Sequence, residues 1–65
     1  MKYVFIEALS EDLEIVFEML AQMDATEVIP RRLTSVSNVV GAKVPFWNLL
    51  KLKKKLRKLG AAMYL

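Results

Sequence analysis

The chain has 65 residues, enough for a single domain over 1–65 that buries only ~60% of the surface its unfolded form exposes. It contains no cysteine and no histidine, which excludes disulfide staples, the usual zinc ligand sets and every nucleophile pair built on Cys or His. All seven acidic residues lie in positions 1–27 against Lys2 alone, whereas positions 28–65 carry nine bases and no acid, so the modest net charge of +3 conceals two opposite poles.

Segregated charge of this kind steers a polyanion, an acidic protein, an anionic membrane or a second copy of the chain. A core this small rarely leaves more than ~3–5 kcal/mol of net stability unless something else holds the fold together. With 55% hydrophobic residues on so short a chain, self-association is expected, and a homodimer is the simplest form. No run of about 18 apolar residues is present, so no transmembrane segment is expected. The absence of cysteine and of a signal-peptide pattern suggests a cytoplasmic protein.

Positions 2–9 are dense in β-branched and aromatic residues and predict a strand buried on both faces, Val4, Ile6 and Ala8 on one side and Tyr3, Phe5 and Glu7 on the other. Ser10 offers an N-cap, with Glu11 and Asp12 where the helix dipole favours negative charge. Leu13, Val16, Phe17, Leu20 and Met23 then recur at helical spacing and predict an amphipathic helix over 11–24, with Ile15 and Met19 widening the apolar arc and Glu11, Glu14 and Glu18 opposite. Positions 26–30 and 38–44 have strand composition around a turn at 35–38. Pro30 marks the first of them as an edge strand, and Gly41 marks a bulge or a close approach. A competing reading makes 33–40 a short helix.

Pro45 suits the first turn of a helix and Gly60 its end. Between them Phe46, Leu49, Leu52, Leu56 and Leu59 form one apolar stripe over 45–59, and 61–65 make a closing strand. The expected class is therefore α+β. Strand, helix, two strands, helix, strand resembles a small ferredoxin-like βαββαβ plait as a pattern of elements; the alternative is βα(α)αβ with a two- or three-stranded sheet. The aromatic-rich box of RNA-recognition domains is missing from 38–44, so the pattern brings no function with it.

Chemistry has few places to live. The Glu11, Glu14, Glu18 stripe has the oxygen ligands a hard cation prefers, but a solvated helix face explains it as well. Ser10, Ser35 and Ser37 lack a base, and two scattered glycines make no phosphate loop. No enzyme, cofactor or metal is expected. The best site is the last helix, where Lys51, Lys54, Lys55, Arg57 and Lys58 lie opposite the leucines and Trp47 falls among them. Lys51, Lys54 and Lys58 follow Trp47 at helical spacing, so one ring and three ammonium groups share a ridge able to contact phosphates and stack on a base, unless the ring folds back as a cap on the core. With Arg31 and Arg32 this suggests a small nucleic-acid-binding regulator. Alternatives are an inhibitor or adaptor docking on a charged protein, and membrane-surface association through 45–59. Tyr3, Phe5 and Tyr64, gathered on an open sheet face away from the helices, could stack bases, but an oligomer interface is the preferred reading, and Ile15 and Met19 of the first helix are further candidates for such an interface.

Overall fold

The computed structural model describes all 65 residues. Strand β1 (Lys2–Leu9) leads through a 3-10 turn (Ser10–Asp12) into helix α1 (Leu13–Gln22), then β2 (Thr26–Arg32) and β3 (Ser37–Val44). A second 3-10 turn (Phe46–Asn48) opens helix α2 (Leu49–Leu59), and β4 (Ala62–Tyr64) closes the chain. The class is α+β, with one antiparallel sheet in the order β2-β3-β1-β4.

Alternation along β1 and β3 decides which face carries the core. Val4, Ile6 and Ala8 alternate with exposed or half-buried neighbours, and β3 contributes Val40, Ala42 and Val44 in the same plane. Val16 and Leu20 of α1 and Leu52 and Leu56 of α2 close over them, with Met23 at the helix end. Both helices lie on this side, so the expectation that β1 is buried on both faces fails: two helices cover one face of a sheet, and Phe5 on the other remains 46% exposed. Met19, a candidate for an oligomer interface, instead packs half-buried against the core.

The middle of the chain is strand, not helix. Asn38, Val40, Ala42 and Val44 point inward at period two, which a helix over 33–40 cannot satisfy. The preceding turn is fixed by Thr34, whose hydroxyl accepts the N–H groups of Val36 and Ser37 at 3.2 and 3.1 Å. β2 is an edge strand, as Pro30 requires, and is exposed along its whole length. The irregularity lies in β2 rather than at Gly41: the register shifts between Thr26 and Ile29, with Glu27 in the left-handed region at φ 52°. Gly41 is the site of close approach, because a Cβ there would lie 2.6 Å from the Tyr3 hydroxyl.

Ser10 is not a cap. Its hydroxyl accepts a hydrogen bond from buried Asn38 at 2.6 Å, while its N–H donates to the Val36 carbonyl at 2.8 Å. Pairing of Leu9 with Ser37 brings Ser10 against the loop before β3, and that contact takes the side chain away from the helix start.

Candidate functional site

α2 is set by one buried polar group. Asn48 donates to the Met23 carbonyl at 2.9 Å and thereby ties the start of α2 to the end of α1. In a 3-10 turn, side chains three apart eclipse, so buried Pro45 and Asn48 take the inward positions and Phe46 and Trp47 the outward ones. Trp47 is accordingly 74% exposed and does not cap the core. Phe46, assigned to the apolar stripe from its spacing, is 62% exposed, and Leu50 in the first turn of α2 is 64% exposed. The stripe that reaches the core is Leu52 and Leu56, flanked by Leu49 and Leu59.

Lys51, Lys54, Lys55, Arg57 and Lys58 are all exposed, and so is Lys53, which the wheel did not place on the ridge. None has an acidic partner; the chain's single ion pair joins Lys43 and Glu27 at 3.1 Å on the sheet. Lys55 leans toward α1 and donates to Gln22 at 3.3 Å, so it marks the edge of the ridge rather than its crest. Arg57 and Lys58 occupy the last turn, where positive charge complements the helix dipole. The surface is thus a helix of unpaired cations that starts in three exposed apolar side chains, Phe46, Trp47 and Leu50.

Arg31 and Arg32 do not join it. Arg31 pairs with Val39 on the sheet face opposite the helices, where a shallow groove is lined by Tyr3, Phe5, Ile29, Arg31, Val39 and Gly41. Arg32 pairs with Asn38 and points to the other side. Tyr3, Phe5 and Tyr64 gather on the open face: the rings of Tyr3 and Phe5 meet edge to face at 5.2 Å, and Tyr64 pairs with Phe5 across β1 and β4. Ile15 is exposed on α1, on the helix side, and is therefore separated from this trio. Glu11, Glu14 and Glu18 do not converge into a group of metal-ligating side chains. No helix is long and apolar enough to cross a membrane.

The exposed Phe46 and Leu50 carried a weak signal in the sequence, since both sit near a proline where the helical pitch changes. A uniform helical wheel averages over that change. No protein-family model matches the chain, and neither a curated protein nor a solved structure matches it.

Proposed function

We propose that this is a small non-enzymatic protein of the cytoplasm that binds nucleic acid through α2. One observation carries the reading: Trp47, 74% exposed, stands at the head of a helix whose lysines and arginine have no acidic partner. Unpaired cations on a rigid helix gain affinity from a phosphate backbone by counterion release, and an exposed indole adds ~1–3 kcal/mol by stacking on an unpaired base. Single strands are favoured over duplex because a duplex offers no free base face to the ring. The scaffold is read as a ferredoxin-like plait, supported by the chain order of its elements, by β1 and β3 at the centre of the sheet and by both helices on one face.

A second reading is docking on an acidic protein, favoured by Phe46 and Leu50, which flank Trp47 with apolar surface that nucleic acid does not need. Membrane-surface association ranks last, because the leucine stripe it would use, Leu52 and Leu56, is packed in the core. Titrating labelled single- and double-stranded oligonucleotides and an acidic peptide over a salt series separates the readings. A steep fall of log affinity with log salt for oligonucleotides, with the single strand tighter, is the expected result; binding of the peptide alone transfers the helix to a protein partner.

A further inference from the structure

We propose that the open sheet face is the interface of a two-fold symmetric homodimer. The register divides this face into four rows that run across the strands. The first holds Leu9 and Ser37; the second Ala62, Glu7, Val39 and Arg31; the third Tyr64, Phe5, Gly41 and Ile29; the fourth Tyr3, Lys43 and Thr26. The third of these, the middle row of the aromatic half of the face, is entirely uncharged, and the Tyr3 ring leans over Gly41 to fill its one gap.

Charge complementarity names the occupant. Glu7 and Arg31 flank Val39 in the same row, one on each strand beside β3. A two-fold axis running along β3, between two stacked faces, exchanges the β1 and β2 positions of the partners. Glu7 of each subunit then faces Arg31 of the other, Phe5 faces Ile29, and the two Tyr3 rings meet near the axis. Residues of β3 face themselves, so Lys43 would approach its own copy, but Glu27 already neutralises it at 3.1 Å. A foreign partner would have to supply both signs in this spacing; a second copy does so automatically. Stacked sheets keep their strands within about 30° of one another, which preserves these opposed pairs near the axis.

Size sets the strength. With the axis on β3, the strands β2, β3 and β1 find opposite strands and β4 with Tyr64 lies outside the overlap; three strands about 4.8 Å apart and rows about 7 Å apart give a contact roughly 15 Å wide and about 20–25 Å long. That is below the ~800 Å² per partner of a standard stable interface, so the homodimer belongs to the weak, transient class.

Sedimentation equilibrium of the full chain from low to high micromolar concentration, with circular dichroism as a check on folding, tests the proposal. The wild type is expected to be a monomer–dimer equilibrium. Glu7→Arg and Arg31→Glu each create two like-charge contacts and should weaken the homodimer about tenfold or more. An equimolar mixture of the two variants should form a heterodimer as tight as the wild type, because each subunit then offers the sign the other lacks. A wild type that remains monomeric throughout overturns the proposal and leaves the face to another occupant. So does a dimer indifferent to both reversals, or a mixture no tighter than its components. Should a reversal impair folding, Phe5→Glu, on the same face, replaces it: a folded monomer supports the interface and an unchanged dimer overturns it.

Discussion

Gly60 and Asp24 hold the same position at the ends of the two helices. The N–H of Ala61 reaches the Leu56 carbonyl at 3.0 Å and that of Gly60 reaches Arg57 at 3.1 Å; Ala25 reaches Leu20 at 3.0 Å and Asp24 reaches Ala21 at 3.3 Å. Both ends therefore carry the same left-handed closing motif, at φ 87° with glycine and at φ 58° with aspartate. An L residue in this region costs roughly 1–2 kcal/mol, offset in part by the chain entropy that glycine loses on folding. Gly60→Ala should lower stability by about 1 kcal/mol through conformation alone, since nothing lies within 4 Å of the added methyl. Asp24→Gly should raise it by up to ~1 kcal/mol. Urea denaturation of the two variants checks both signs, and equal midpoints would contradict them. Asn48→Ala should cost ~1–3 kcal/mol, because it strips the buried Met23 carbonyl of its donor.

At the scale of elements, the two faces of α2 are set apart: Leu52 and Leu56 serve the core, and the exposed side carries the proposed binding surface. Leu20→Ala, Leu52→Ala and Leu56→Ala should each cost ~2–5 kcal/mol, enough to unfold a domain of this size, and Leu13→Ala less because Leu13 is only partly buried. Trp47→Ala should leave the thermal transition in place and weaken single-strand binding. The wild-type indole should emit at long wavelength and be readily quenched by iodide, and a blue-shifted, protected signal would contradict its exposure. Replacing Lys51, Lys54 and Lys58 with Gln should flatten the salt slope by about one ion per lost phosphate contact while the fold persists.

Much of this level was legible in the sequence, for reasons that differ by element. Val16, Leu20, Leu52 and Leu56 lie in helices several turns long, and a sustained period survives tertiary packing. Gly60 and Pro30 were legible because backbone chemistry restricts where they fit. Ser10 was misread because its partner, Asn38, lies 28 positions away, and no local pattern carries that contact. Trp47 stayed ambiguous for the same reason: its exposure follows from Asn48 turning inward to Met23, which is settled only when α2 meets α1. Arg31 and Arg32 read as a pair of cations, but strand alternation sends them to opposite faces.

For the whole molecule, the two proposed surfaces lie on opposite sides, so dimerisation leaves both α2 helices outward. The assembly then presents two basic helices facing away from each other, and binding of a long strand should be bivalent. Dimerisation should weaken only partly with salt, because apolar burial at ~25 cal/mol per Å² outweighs exposed ion pairs worth ~0–1 kcal/mol each. Glu27→Gln should weaken the homodimer at low salt by baring Lys43 opposite its own copy, and added salt should relieve that repulsion. Sedimentation over a series from low to molar salt measures both, and complete dissociation of the wild type in molar salt would mean that charge dominates the interface.

The central position of β1 has a consequence for how the protein comes into being. Both of its neighbours, β3 and β4, come from the second half of the chain. On a ribosome that emits ~5–20 residues per second, the first strand therefore emerges apolar and unpaired, and waits until Val44 has been made before it can find its main partner. No amino-terminal fragment can mature ahead of the rest. Folding should be slow for so small a domain because its decisive pairing closes a long loop, and fragments that stop short of Val44 should be cleared by proteases rather than accumulate as stable halves.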